Sequence, residues 1–162
     1  MRVIRFEHES TLRTPVERLR DIHSSPDALP RLMPGFLRVK LVDPGAGVTE
    51  GSIVTAEVGP FRSRWTALHA AVTDSGFADI ALSSPFPAWI HQHWFIPISD
   101  GCLLRDVIWY LPPRWLPRAL ARFAVNPLLR LLFGWRHRRT ARLAGTASRR
   151  GSSSALRLVA GL

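Results

Sequence analysis

His69, Asp79, His91 and His93 are the residues of this chain whose types and spacing could carry chemistry. A neutral imidazole titrates near pH 7, so a histidine polarised by Asp79 could act as a general base in a cyclisation or dehydration. His91-Gln92-His93 has the alternation that places two imidazoles on one side of a strand, and His69 could join them on a zinc ion. No carboxylate or Cys accompanies them at a characteristic ligand spacing, so the pattern specifies no metal, and no cofactor motif is present. Aromatic residues lie between these groups, which opens a second reading as a pocket wall. Trp65, Phe77, Trp89 and Phe95 would contact an apolar ligand while His or Asp orients its polar end. A third reading is structural, with imidazoles satisfied by neighbouring carboxylates that lock a sheet. Arg105 and Asp106 point to opposite faces of the same stretch. An inward Arg105 would pair with an acidic ligand group, whereas an inward Asp106 would hold a histidine. The candidate ligand-binding set is Trp65, His69, Phe77, Asp79, Trp89, His91, His93, Phe95, Arg105 and Trp109. No residue is assigned as catalytic, because neither a Gly-x-Ser-x-Gly elbow nor a phosphate-cradling glycine loop occurs.

A sheet is needed to bring these groups together. Residues 3–10 alternate, with Ile4, Phe6 and His8 on one face. Thr14-Pro15-Val16-Glu17 reads as a capping box that starts a short helix to about residue 22. Ser25-Pro26-Asp27 starts a second, which ends near Met33-Pro34-Gly35. Residues 36–42 read as a strand. Five more follow at 52–58, 63–72, 77–83, 89–97 and 102–111, separated by turn-forming Gly, Pro, Asp and Ser. Short separators imply an antiparallel meander. If the strand faces coincide, Trp65, His69, Asp79, Trp89, His91 and His93 form one cluster. After Pro112-Pro113 the pattern is helical over 115–124 and again over 128–143, with Asn126 as an N-cap and Pro127 as a first helical residue. Leu128, Leu131, Leu132 and Trp135 share one face of that last segment and are expected to pack on the sheet. The fold class expected is α+β: a curved seven-stranded antiparallel sheet around a long C-terminal helix, with two short helices between the first two strands.

A length of 162 residues suits one domain, and 46% hydrophobic against 21% charged residues suits a folded one. Residues 1–143 are expected to form the ligand-binding domain, and 144–162 a flexible basic tail. The single Cys102 excludes an internal disulfide or a Cys-based zinc site and fits a reducing, cytoplasmic setting. The start of the chain has no apolar signal-peptide core, and no stretch of about 18 apolar residues could span a membrane.

Several short sequences resemble the START-like superfamily, also called SRPBCC or helix-grip proteins, which includes polyketide cyclase-like and coenzyme Q-binding proteins. They are Thr14-Pro15-Val16-Glu17, Leu32-Met33-Pro34-Gly35, Trp65-Thr66-Ala67-Leu68-His69, Gly76-Phe77-Ala78-Asp79, residues 85–95, and Asp100-Gly101 to Arg105-Asp106. The resemblance spans about residues 1–143. It implies a cavity between sheet and C-terminal helix that binds, and in some members transports, a lipid, quinone or polyketide. A cyclase- or dehydratase-like enzyme is the alternative it leaves open. It carries over no catalytic residue.

Charge is distributed unevenly. Residues 1–106 hold 11 basic and 12 acidic side chains, whereas 107–162 hold 11 Arg and no acid. Arg130, Arg136, Arg138, Arg139 and Arg142 are expected on the solvent side of the last helix, where they could meet an anionic membrane surface or a partner. Lipid and sheet would then compete for the same apolar residues. No nucleic-acid module is present, so nucleic acid is not an expected partner.

Overall fold

The computed structural model describes residues 3–146 and the backbone of 148–150. In chain order the elements are β1 (Ile4–Leu12), α1 (Val16–Ser24), α2 (Ala28–Leu32), a 3-10 turn (Gly35–Leu37), β2 (Lys40–Asp43), β3 (Ile53–Val58), β4 (Ser63–Thr73), β5 (Gly76–Ser83), β6 (Ala88–Ile98), β7 (Gly101–Leu111), α3 (Arg118–Leu143) and β8 (Ser148–Arg150). The strands pair antiparallel in the order β2-β3-β4-β5-β6-β7-β1-β8. Seven of them are the expected sheet. The eighth is a three-residue addition at the β1 edge, drawn from the 144–162 segment expected to be a flexible tail; residues 144–146 of that segment are also described, and 147 and 151–162 lie outside the described residues.

The β3 to β7 meander follows the turn residues closely. Three local expectations differ. Pro15, not Thr14, takes the N-cap position of α1, and no side chain caps it. Residues 35–37 coil into the 3-10 turn, so β2 begins only at Lys40. The helical pattern after Pro112-Pro113 is one helix that runs through Pro127. Pro127 has no N–H to offer Phe123, but it leaves the remaining ladder intact. Asn126 does not cap a helix; its side-chain oxygen accepts a 2.8 Å bond from the Tyr110 hydroxyl.

The hydrophobic core is divided. One cluster joins Ile4 and Phe6 of β1, Ile108 and Tyr110 of β7, and Leu129 and Phe133 of α3. A second joins Leu12, Leu19, Phe77, Phe95, Leu104 and Ala141, and a small third joins Ile22, Ala28 and Leu32 under the short helices. Cys102 is buried in the second cluster, where burial pushes its thiol up to about 11. Between the clusters each element changes from apolar to polar: His91 and His93 on β6, Asp106 on β7, and Arg136, His137 and Thr140 on α3 are all buried.

The face that α3 turns to the sheet is therefore not the one its leucines suggest. Leu129, Phe133, Arg136, His137 and Thr140 face inward, while Leu128 and Leu131 are 62% and 64% exposed. Of the four expected contact residues, Leu132 packs on the core, and Leu128, Leu131 and Trp135 do not. Hydrophobic periodicity is misled here because half of the inward stripe is polar and finds its partners on the sheet.

Gly76 opens β5 at φ +154°, and a Cβ there would lie 1.9 Å from the His93 carbonyl oxygen. Gly76→Ala is expected to cost about 2–3 kcal/mol through this backbone overlap, read as a lower melting temperature.

Candidate functional site: a histidine–aspartate band beside a small pocket

Strand register gathers the sequence candidates. His69 pairs with Asp79 across β4–β5, Asp79 with His91 across β5–β6, and His93 with Asp106 across β6–β7. Alternation keeps all these side chains on the concave face. Asp106 is fully buried. Its Oδ1 lies 2.7 Å from His91 Nε2 and 3.0 Å from His93 Nδ1, and its Oδ2 lies 2.6 Å from His137 Nε2. Asp79 takes His69 Nδ1 at 2.8 Å and His93 Nε2 at 2.9 Å. A carboxylate only accepts, so the ring nitrogens bonded to Asp79, and those of His91 and His137 bonded to Asp106, donate. His93 lies between the two carboxylates, with the Arg136 guanidinium 3.4 Å from its Nδ1.

Titration behaviour follows from this geometry. Burial alone would raise both carboxyls. Bonds from His69 and His93 outweigh it at Asp79, and bonds from His137, His91 and His93 do so at Asp106, so both stay below the usual carboxylate range. At His93, burial and Arg136 oppose the charged form, yet the two carboxylates prevail and the ring titrates above its ordinary value. His91 is lowered to about 4, by burial first and then by the charge on His93. His23, which lies within 3.4 Å of Arg136, is lowered by burial and by that guanidinium.

The other end of the concave face is aromatic. Trp65 and Trp89 meet edge to face with centroids 5.4 Å apart, and Phe86 packs on both. Phe77 stacks on His93 at 4.3 Å, and Phe95 lies 6.3 Å from Phe77.

Arg105 and Trp109, by contrast, lie on the outer face, because they are out of phase with Asp106 and Tyr110. Arg105 is 3.3 Å from Glu7 and bonds to Glu9. The Trp109 indole donates to Gln92 at 3.3 Å, with the Arg5 guanidinium 5.5 Å above its ring. Neither lines the interior. Arg136, expected on the solvent side, is buried in the polar band.

A pocket of about 410 Å³ opens beside the band, lined by Arg20, Ser24, Val48, Val72, Thr73, Asp74, Phe77 and Phe95. Only Phe77 and Phe95 were among the candidates. Val72 and Thr73 are consecutive, and both reach the pocket because β4 is irregular after Ala70, where Ala71 adopts φ +51°. Arg20 and Asp74 form an ion pair between α1 and the β4–β5 turn. His23, Arg136, His137 and Thr140 were also missed. For the three on α3 the signal was polar residues three, four and seven positions past Phe133, on the stripe that also holds Leu129; His23, on α1, carried no such signal.

No protein-family model matches the chain, and no curated protein matches it. Solved structures do resemble it. The di-domain ARO/CYC StfQ from the steffimycin biosynthetic pathway aligns with a TM-score of 0.69 at 14% identity, over 88% of this chain and 51% of that one, so this chain spans about half of it. Protein CV1439 from Chromobacterium violaceum aligns with a TM-score of 0.66 at 18% identity, over 88% and 96% of the two chains. Norcoclaurine synthase from Thalictrum flavum, in complex with dopamine and hydroxybenzaldehyde, aligns with a TM-score of 0.58 at 14% identity, over 88% and 85%. These likenesses, all below 25% identity, establish the fold alone: an antiparallel sheet that grips a long C-terminal helix.

Proposed function

We propose that the protein binds one small amphipathic molecule in the pocket between α1 and the concave face of β4–β6. The observation that carries this reading is the pocket's polarity gradient: Phe77 and Phe95 close its inner end, while Arg20 and Asp74 lie at its polar side. Its volume, about 410 Å³, sits at the low end of the roughly 300–1,000 Å³ range of small-molecule sites. A compact, planar molecule such as a quinone head group or an aromatic polyketide fits that size better than a full-length lipid. The structure of norcoclaurine synthase with two small aromatic compounds supports the same size class. Phe77 covers His93, so a ligand in the pocket meets an aromatic ring and not the His93 side chain. This favours a binder over a cyclase- or dehydratase-like enzyme. Native mass spectrometry of the freshly purified chain, with organic extraction, tests the reading. One bound small molecule is expected, absent from Val72→Trp; a bare polypeptide mass that stays bare with added quinones and polyketides would refute it.

A second reading concerns the outer side of α3. Leu120, Phe123, Leu128, Leu131 and Trp135 form an exposed apolar stripe, and Trp115 lies just before the helix, 79% exposed. Arg130, Arg138, Arg139 and Arg142 are exposed beside it, and no acidic residue follows Asp106. The sheet uses the opposite side of the helix, so lipid and sheet do not compete. Such a stripe suits an anionic membrane surface. No described helix is long and apolar enough to cross a membrane. Co-sedimentation with vesicles containing phosphatidylglycerol is expected to fall at least about tenfold in Phe123→Glu/Leu131→Glu, given the buried apolar area lost. Equal sedimentation of both proteins would refute docking by this face.

A further inference from the structure

We propose that Asp79, His91 and His93 form a binding site for one divalent transition-metal ion, with zinc as the best match. The carboxylate missing from the sequence spacing is supplied across the sheet: Asp79 of β5 faces both histidines of β6. One oxygen of Asp79 and one nitrogen from each ring lie within 4.8 Å of one another. Two imidazoles and one carboxylate are a common set for zinc and for other first-row divalent ions that keep open positions.

Asp106 provides the stronger argument. In metal sites the ligating histidine usually donates its other ring N–H to a carboxylate, which fixes the tautomer and the ring orientation. His91 meets that requirement through Nε2 at 2.7 Å, and His93 Nδ1 lies 3.0 Å from the same carboxylate oxygen and 3.4 Å from the Arg136 guanidinium. The nitrogens left over, Nδ1 of His91 and Nε2 of His93, are the two that face Asp79. Asp106 is itself anchored by His137 at 2.6 Å.

His91 Nδ1 also lies 3.9 Å from Asp79 Oδ2, too far for a hydrogen bond. With its proton on Nε2, the neutral ring presents a lone pair there toward a carboxylate oxygen. Two acceptors facing each other are a natural place for a cation. Charge agrees: Asp79 and Asp106 carry two negative charges in the band, and Arg136 supplies one permanent positive charge beside them. The Asp79 side chain is 24% exposed, which leaves an approach for the ion and an open coordination position for water or a ligand group. His69, bonded to the other oxygen of Asp79, is a positioning residue.

The test is zinc titration of the tag-free full chain, followed by calorimetry in two buffers and by nitrogen-15 spectra of the histidine rings. The expected result is one ion bound at micromolar affinity or tighter, with release of the Nε2 proton that His93 donates to Asp79. His91 Nδ1 and His93 Nε2 should take on the shifts of metal-bound nitrogens, with Nε2 of His91 and Nδ1 of His93 still protonated. Asp79→Asn should weaken binding at least about tenfold, in line with loss of a charged ligand. The spectra use the unmodified chain, so the test stands even if that variant folds poorly. Absence of zinc binding, or binding that leaves these two nitrogens unmoved, would overturn the proposal.

Discussion

Asp106→Ala is expected to lower stability by about 3–5 kcal/mol, the range for removing one partner of a buried charge pair. For a chain of this size that is a melting temperature lower by roughly 10 °C or more, read by calorimetry. Asp106 is fully buried and accepts bonds from three imidazoles on two elements, His91 and His93 of β6 and His137 of α3. Its removal leaves those N–H groups facing a cavity and leaves His93 with half of its counter-charge. The neighbouring Arg105→Ala is the control. Its side chain pairs with Glu7 and Glu9 on the outer face, so it should cost under about 1 kcal/mol. Equal effects of the two substitutions would contradict the placement of Asp106 at the centre of the band.

Stability in chelator-treated protein should peak near pH 6.5 and fall on both sides. On the acid side, His91 and His23 are lowered by burial, so below pH 6.5 the unfolded chain binds protons that the folded chain refuses. Stability therefore drops with falling pH; for His91, from 6.5 to about 4, the loss is about 3 kcal/mol. On the alkaline side the sign reverses. His93 is raised, so above pH 6.5 the folded chain holds a proton the unfolded chain has released, and stability drops as pH rises through the folded value. Urea unfolding midpoints at half-unit pH steps measure this directly. A profile that rises steadily through neutrality would show that His93 is not held as an imidazolium.

The sheet was legible because its signals are local. Asp74-Ser75-Gly76 and Ser99-Asp100-Gly101 mark tight turns, and strand alternation then places Trp65, His69, Asp79, Trp89, His91 and His93 on one face wherever the hairpins close. What was not legible depends on contacts far apart in the chain. Arg136 and His137 look like solvent-side residues until Asp106 and His93 are placed opposite them, more than 30 residues away in sequence. Leu128 and Leu131 look like core until those polar residues take the inward positions. The pocket was hidden because its lining comes from α1, the loop before β3 and the irregular end of β4. The alternation of β7 left open whether Arg105 or Asp106 faces inward, and Trp109, a ligand-binding candidate, shares the Arg105 face. On a strand that choice reverses the face, and only the buried Asp106 and Tyr110 settle it.

Ligand binding in the Phe77–Phe95 pocket is tested most directly by titrating a naphthalene-sulfonate fluorophore into three proteins: the unmodified chain, Val72→Trp, which fills the pocket, and Leu131→Ser, which alters the exposed stripe on α3. The expected result is one saturable site whose affinity falls at least about tenfold in Val72→Trp, through steric exclusion, and stays unchanged in Leu131→Ser. Unchanged affinity in Val72→Trp, with weakening in Leu131→Ser, would place the apolar site on the helix surface and contradict the pocket assignment.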